Sequence, residues 1–309
     1  MYGGKLNGIL VIDKPPNITS ARVVASVKKS LNAARVGHAG TLDPFAEGVL
    51  ICCVNQATRL AGFLMHGPKR YVAVLKLGEE TDTQDFTGTV VVGSNPAGLC
   101  RQTIEDVFKS FEGTLEQLPP VYSALKHKGV PLYRLARRGQ PVQKPPRRVH
   151  IYDLILRQID LPFIRFEVVC SAGTYIRTLG ADIGRALGCG GHLHALKRVE
   201  SSGFTLEQAT QLSELEELAR SRRLTRRMIS MRDALPAMPE SFAAEDLVDR
   251  IRHGQIMTAQ DLSDGNDING SGEPYVKIID LNGNLIAIVE RRAGSERLDY
   301  CCVFVKPNH

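Results

Sequence analysis

Residues 37–51 have the sequence GHAGTLDPFAEGVLI, which places one carboxylate, Asp43, between a glycine-rich turn and an apolar run. Pro44 disfavours helical backbone angles at Asp43 and therefore predicts an extended or turn conformation there. The run that follows, GVLICCV, is typical of a short buried segment. We therefore expect Asp43 to lie on a loop whose far end is held rigidly by the core. The simpler alternative is a turn aspartate that only hydrogen-bonds its own backbone.

The composition is that of a globular protein. A chain of 309 residues that is 43% hydrophobic can form one large domain or two. Its start, MYGGKLNGILVIDKPP, lacks the basic segment and apolar run of a secretory signal. No apolar run is long enough to span a membrane. The seven cysteines are odd in number and form no C-x-x-C motif, which favours reduced thiols. We expect a cytoplasmic protein without a membrane partner.

Positive charge is concentrated in the first part of the chain. Residues 1–240 carry 32 Lys and Arg against 22 Asp and Glu, whereas residues 241–309 carry 7 against 11. Within the basic part, residues 126–148 hold eight Lys and Arg and no acid. Tyr122 and Tyr133 add stacking surfaces to this segment. Basic and aromatic side chains together favour contact with nucleic acid, while a solvated basic face is the alternative.

Strand and helix patterns are mixed without a regular β-α-β alternation. GILVIDKPP, KRYVAVLKLG and RFEVVCSA predict strands, whereas a helix is expected after Thr19 or Ser20 and another in LGADIGRALG. This order favours an α+β sheet over a doubly wound parallel one.

The C-terminal part has the pattern of a small β-domain. Two prolines in ALPAMPESF and the reversal of charge predict a linker, which divides the chain into residues 1–238 and 239–309. Asn282-Gly283 predicts a hairpin, and LDYCCVFV predicts a further strand, so a barrel-like domain is expected. The loop at residues 263–273 lacks the ligand pattern of a calcium loop and is expected to be exposed to solvent.

Two other residue patterns could suggest a metal site and a glycosidase site. Cys189, His192 and His194 in CGGHLH could be metal ligands, but no second pair lies at a regular distance, so no metal is expected. The pairs Asp43/Glu47 and Asp82/Asp85 could suggest a glycosidase. Such enzymes usually take their two carboxylates from different elements, and a turn after a strand explains the second pair adequately.

A scattered set of residues is the better candidate site. Asp43 is accompanied by Tyr71 in KRYVAVLKL and by Tyr175 and Arg177 in SAGTYIRTL. Alternation places Tyr175 and Arg177 on one face if the extended conformation continues through them. Arg177 could then orient a nearby carboxylate through a charge-assisted pair, and either tyrosine could stack on a planar base.

Four motifs together resemble the bacterial tRNA pseudouridine-55 synthase family. They are GHAGTLDPFAEGVL, KRYVAVLKLGEETDTQDFTG, LPPVYSALKHKGVPLYRLARRG and CSAGTYIRTLGADIGRALGCGGHL, in order along nearly two thirds of the chain. The resemblance implies an α+β fold with a mixed, mainly antiparallel sheet flanked by helices, and a small PUA-like C-terminal β-domain. It also implies isomerisation of the T-loop uridine at position 55 of tRNA, without cofactor or metal. The acidic tail departs from an RNA-binding appendage, and its removal is expected to cost little.

The resemblance implies roles for individual residues. Asp43 would be the catalytic carboxylate, paired with Arg177, and Tyr71 would stack on the uracil and could take part in proton transfer. Whether Asp43 attacks the uracil ring or the sugar, or first removes the proton on the 2′ side, stays open. The implied substrate-binding residues are His38, which would fill the space left in the RNA, Tyr175, Leu196, Lys126, Lys128, Arg137 and Arg138. The insertion at residues 122–148 would grip the T-arm.

Two functions remain to be separated. One is catalysis on tRNA by a protein expected to be monomeric, and the other is a non-catalytic module that binds or folds RNA. Asp43, Tyr71 and Arg177 together favour catalysis, because simple binding of a polyanion needs no carboxylate facing it. A glycosidase that acts on free sugars is a distant third.

Overall fold

A computed structural model describes residues 6–262, 274–292 and 294–305. Its strands are β1 Gly8–Lys14, β2 Val36–His38, β3 Glu47–Val54, β4 Lys69–Leu77, β5 Glu79–Thr81, β6 Val90–Gly93, β7 Gly113–Gln117, β8 Lys126–His127, β9 Val130–Pro131, β10 Arg147–Asp160, β11 Phe163–Cys170, β12 Gly191–Ser201, β13 Phe204–Thr205, β14 Thr210–Gln211, β15 Glu240–Ala243, β16 Met257–Thr258, β17 Tyr275–Asp280, β18 Leu285–Arg291 and β19 Arg297–Val303. Its α-helices are α1 Ser20–Ser30, α2 Ala61–His66, α3 Arg101–Ser110, α4 Leu132–Arg137, α5 Ile176–Ala186, α6 Leu215–Arg220 and α7 Glu245–Arg252.

The main sheet has ten strands and is mainly antiparallel, as expected. Its order is β14-β1-β3-β12-β4-β11-β10-β7, with β2 on β3 and β13 on β12. Only the pairs β1/β14 and β3/β12 are parallel. The predicted strands GILVIDKPP, KRYVAVLKLG and RFEVVCSA are present as β1, β4 and β11. The sequence pattern therefore located three strands of the sheet, but it did not predict β12, which lies between β3 and β4.

Helix α1 begins where the capping pattern predicted. Thr19 is its N-cap, and the Thr19 hydroxyl accepts a hydrogen bond from the backbone N–H of Arg22 at 3.2 Å. Val23 and Val27 lie on its buried face and pack in a core with Leu10 and Leu50 of the sheet. The helix therefore covers the sheet beside the loop that carries Asp43.

Strands β15 to β19 form a separate five-stranded sheet in the order β15-β17-β18-β19-β16. The hairpin expected at Asn282-Gly283 joins β17 and β18. The predicted strand LDYCCVFV is present as β19. The loop at residues 263–273 lies outside the described residues.

The two sheets share one apolar core. Ile279 and Ile288 of the C-terminal sheet pack in one cluster with Ile9 and Ile51 of the main sheet. Removal of the tail would expose this cluster to water and is therefore expected to destabilise the fold. That removal costs little in RNA binding stays a prediction.

All seven cysteines are described, and every thiol is free. Five of them are buried, at positions 52, 53, 170, 189 and 302. They serve as small apolar side chains, as the sequence predicted. Among the described residues, no helix is long and apolar enough to cross a membrane.

Candidate active site

The loop that carries Asp43 is fixed from both sides. The Ser20 hydroxyl accepts a hydrogen bond from Leu42 N at 2.9 Å and lies 3.1 Å from Leu42 O. Asp43 O accepts from Ala46 N at 3.2 Å, which closes a tight turn around Pro44. The chain then enters β3, whose residues are buried from Gly48 onward. Asp43 therefore lies on a rigid loop, as predicted.

Lys14 holds the same loop from beneath. Its fully buried ammonium donates hydrogen bonds to Pro44 O at 3.0 Å and to Ala46 O at 2.6 Å. Burial lowers the pKa of Lys14 to about 8, although Asp43 and Glu47 act to raise it. Lys14 was not among the predicted site residues. The local signal was a lysine that ends the strand GILVIDK after an apolar run.

Arg177 and Asp43 form a two-point ion pair, as the resemblance implied. Nε of Arg177 lies 2.8 Å from Oδ2 of Asp43, and Nη2 lies 3.0 Å from Oδ1. The Arg177 side chain is 3% exposed, whereas the Asp43 side chain is 31% exposed. The carboxylate is thus held in one orientation while part of it faces solvent, which leaves it accessible to a substrate.

The expectation that Tyr175 and Arg177 share one face of a strand is wrong. Strand β11 ends at Cys170, and a turn follows in which Thr174 donates to Ser171 O. Tyr175 is the N-cap of α5, and Arg177 lies in the first turn of that helix. The side chains are therefore positioned by a helix start rather than by strand alternation.

Arg177 also binds two backbone carbonyls, which orient its guanidinium. Nη1 donates to Thr83 O at 2.8 Å, and Nη2 donates to Tyr122 O at 2.9 Å. A second carboxylate, Asp85, lies 3.6 Å from Nη1 and is nearly buried. Arg177 therefore connects the Asp43 loop, the segment after β5 and the start of the insertion.

A turn was predicted to explain both Asp82 and Asp85, and it explains Asp82 fully but Asp85 only in part. Asp82 accepts a hydrogen bond from Thr89 N and is exposed. Asp85 accepts from the backbone and hydroxyl of Thr87 but also faces Arg177. The sequence does not show which of the two aspartates faces Arg177, because that depends on the position of α5, which is far away in the chain.

Tyr71 lies on β4 in the apolar wall of the site. It is buried and packs in one cluster with Leu42, Phe45 and Leu196. Burial raises the pKa of the Tyr71 phenol above its ordinary value, so the hydroxyl stays protonated at neutral pH. Leu196, on the neighbouring strand β12, faces Ala73 in the ladder. The site thus combines an apolar wall with one exposed carboxylate.

Arg198 is a further buried cation that the sequence did not indicate. Its Nε donates to Val49 O at 2.8 Å, and its Nη2 donates to Gly40 O at 3.0 Å. It faces Gly48 in the parallel ladder, where a Cβ would lie 2.2 Å from Arg198 O. Gly48, with φ +101°, must therefore be glycine for β3 and β12 to approach this closely.

His38 is the last residue of β2, at the entrance to the Asp43 loop. Its Nδ1 is buried and has no hydrogen-bond partner among the described residues. Burial, with a smaller contribution from Arg198, lowers the pKa of His38 below its ordinary value. The imidazole is therefore neutral at neutral pH.

The basic insertion is partly ordered by its own contacts. Strands β8 and β9 form a two-stranded ribbon that leads into α4. Leu132 and Ala136 are buried, while residues 138–146 have no regular structure. The four predicted RNA-binding side chains are all exposed: Lys126, Lys128, Arg137 and Arg138.

The three candidate metal ligands in CGGHLH do not face a common point. Cys189 is buried, and Nδ1 of His192 lies 3.0 Å from the backbone oxygen of Glu79. His194 packs against the rings of Phe86 and Phe163. Within the described ranges, no group of three His, Cys, Asp or Glu is placed to hold a metal ion.

Comparison with known proteins identifies the family. Residues 28–176 match the N-terminal domain of TruB family pseudouridylate synthases, and residues 177–236 match the C-terminal domain of tRNA pseudouridylate synthase B. The tRNA pseudouridine synthase B of Syntrophotalea carbinolica is 44% identical over 85% of this chain and 85% of its own length. That of Geobacter sulfurreducens is 42% identical over 94% of this chain and 95% of its own.

A solved structure with a similar fold is a chain in the crystal structure of a Cbf5-Nop10-Gar1 complex. It has a TM-score of 0.73 and 26% identity, over 97% of this chain and 85% of that chain. The family models cover more than half of the chain, and the two named relatives match it over most of their length. The chain therefore belongs to the TruB family of pseudouridylate synthases and is an isomerase.

Proposed function

We propose that this enzyme converts the uridine at position 55 in the T loop of tRNA to pseudouridine, with Asp43 as the catalytic carboxylate. The observation that carries the proposal is the two-point pair between buried Arg177 and half-exposed Asp43. A carboxylate fixed in this way at an apolar wall can act on the sugar or the base without metal or cofactor.

The reaction is an isomerisation, so no atom is gained or lost. The bond from N1 to C1′ breaks, the uracil turns, and C5 bonds to C1′; a proton leaves C5 and another binds N1. Asp43 attacks the ring or the sugar, or stabilises positive charge at C1′. Tyr71 offers its ring as a stacking face and its neutral hydroxyl as a group that can pass a proton.

The target uridine must leave its stack to reach Asp43. Tyr71 and Leu196 are buried, so a base within a helix could not contact them. His38, the last residue of β2, occupies the space that the uridine vacates in the RNA. The exposed cations of the insertion supply contacts to phosphate.

We also propose a domain organisation, an oligomeric state and a location for this enzyme. Residues 1–238 form the catalytic domain and residues 239–309 the PUA-like domain. The enzyme acts as a monomer in the cytoplasm, where its free thiols remain reduced.

The experiment is to incubate the purified protein with an unmodified tRNA transcript and to map pseudouridine along the whole RNA. We expect one modified position, in the T loop. A matched transcript with cytidine in place of that uridine is expected to give no product. Pseudouridine at another position, or binding without any product, would contradict the proposal; the second result would instead favour a non-catalytic RNA-binding module.

A further inference from the structure

The two stems of the insertion meet at one facing pair of residues. Strand β7 ends at Gln117, before the insertion, and β10 begins at Arg147, near the end of the insertion. In the antiparallel ladder these two residues are directly opposite each other. Gln117 and Arg147 are thus the point at which the insertion joins the main sheet, and both contact Tyr175.

Gln117 binds the backbone of Tyr175 at two points. Its Oε1 accepts from Tyr175 N at 2.7 Å, and its Nε2 donates to Tyr175 O at 3.0 Å. The amide side chain is buried, so both bonds are shielded from water. Gln117 therefore fixes the residue that precedes α5, two positions before Arg177.

Arg147 covers the ring of the same tyrosine. Its guanidinium carbon lies 4.5 Å from the centre of the Tyr175 ring, a cation–π distance. Its Nε is buried and has no hydrogen-bond partner in the part of the chain that the structure describes. A Cβ at Gly173 would lie 3.2 Å from Nη1 of Arg147, so the glycine leaves room for this arrangement. The ring contact therefore helps to orient the guanidinium.

A third contact joins the insertion to the same group. Tyr122 O, at the start of the insertion, accepts from Nη2 of Arg177, and this nitrogen also binds Asp43. The start of the insertion therefore touches Arg177, and its base touches Tyr175. A shift of the insertion would act on Arg177, which pairs with Asp43, and on Tyr175, which lies two residues before Arg177.

We propose that Gln117 and Arg147 are positioning residues that couple the binding of RNA on the insertion to the position of Tyr175 and, through the start of α5, to the position of Arg177 beside Asp43. This inference rests on the proposed function. Neither residue needs to touch the uridine; each acts through Tyr175. Binding energy from the remote insertion would then be used to align the reacting groups.

The test compares Arg147→Met with Arg157→Met. The first substitution removes the charge over Tyr175 and keeps an unbranched side chain, while Arg157 is exposed on the same strand and pairs with Glu167. Single-turnover rates are measured at saturating tRNA, together with the dissociation constant. We expect Arg147→Met to lower the rate by about tenfold or more, because the reacting groups are misaligned. Its affinity for tRNA should change by less than about threefold, because most phosphate contacts remain. Arg157→Met is expected to match wild type.

A double-mutant cycle with Tyr175→Leu tests the route of the effect. Once the ring is gone, Arg147→Met should cause no further loss of rate. Gln117→Glu keeps the acceptor for Tyr175 N and loses the donor to Tyr175 O, so it should lower the same rate. It provides a second variant if Arg147→Met does not fold.

Three results would overturn the inference. They are a wild-type rate with weakened binding in Arg147→Met, an equal loss of rate in the Tyr175→Leu background, or a wild-type rate in Gln117→Glu. Failure of the wild-type protein to modify tRNA would contradict the proposed function instead, so the two failures are distinguishable.

Discussion

Arg177 binds both carboxylate oxygens of Asp43, and only the carboxylate is accessible. The two contacts measure 2.8 and 3.0 Å, and the guanidinium is oriented further by Thr83 O and Tyr122 O. A planar donor held at four points leaves its acceptor little freedom to rotate. The direction in which Asp43 points is therefore set by the fold before the substrate arrives.

Arg177→Lys is expected to lower turnover by about a hundredfold or more, because an ammonium cannot reproduce the two parallel hydrogen bonds. The measurement is the single-turnover rate at saturating tRNA, with affinity measured in parallel. Arg185→Lys is the matched control, since Arg185 lies on the same helix and pairs with Glu80 and Asp182. A rate within about threefold of wild type for Arg177→Lys would show that orientation by a planar group is not required.

Tyr71→Phe is expected to damage turnover far more than affinity. The Phe ring keeps the stacking face but lacks the hydroxyl that could pass a proton. Both quantities are measured for Tyr71→Phe, Tyr71→Ala and Tyr152→Phe, the last being an exposed tyrosine on β10. Normal turnover in Tyr71→Phe with loss in Tyr71→Ala would make Tyr71 a stacking platform only.

The quadruple change of Lys126, Lys128, Arg137 and Arg138 to Ala should flatten the salt dependence of tRNA binding and raise KM. The slope of log affinity against log salt is proportional to the number of phosphate contacts, so each lost contact makes the slope less steep. The single-turnover rate at saturating tRNA should stay close to wild type. A control removes four exposed charges elsewhere: Lys28, Lys29, Arg220 and Arg226. An unchanged slope in the first variant would exclude the insertion from the RNA-binding surface.

Lys14 should make stability depend on pH in an unusual direction. Its pKa is lowered from 10.5 to about 8 by burial, so the unfolded chain binds more protons than the folded one between these values. The cost of burying the charge is present below about pH 8 and is relieved as the pH rises toward 10.5. Relative to Lys14→Met, wild type should gain up to ~3 kcal/mol over this interval.

The measurement for Lys14 is denaturant unfolding of both proteins at the two ends of the interval. Lys69, whose pKa is also lowered to about 8, is present in both and cancels in the difference. A difference that stays constant, or that falls as the pH rises, would contradict the assignment of this shift to Lys14.

Local patterns were sufficient for the elements that carry the site. Pro44 and the apolar run after it predicted the rigid loop at Asp43, and alternation predicted β4 with Tyr71. These features depend on neighbouring residues in the chain, so the sequence contains them. The pairing of Asp43 with Arg177 came from the family resemblance, since no local pattern connects residues so far apart.

The features that the sequence did not reveal depend on long-range packing. The prediction that Tyr175 and Arg177 lie on one strand was wrong. The strand ends at Cys170, and after a turn α5 begins at Ile176, earlier than the apolar spacing in LGADIGRALG indicates. Asp85 and Arg198 have ordinary local contexts and gain their roles only from the elements that face them. A buried charge is visible in sequence only when its partner is known.

Asp43 is proposed to take part in the chemistry and not only to stabilise its loop. The most direct measurement is single-turnover formation of pseudouridine in tRNA by Asp43→Asn, with affinity for the same tRNA measured alongside. The substitution keeps the size of the side chain and removes its charge. We predict that turnover is abolished while tRNA still binds, because the phosphate contacts lie elsewhere. Turnover within about tenfold of wild type, roughly 1.4 kcal/mol of barrier, would contradict the claim.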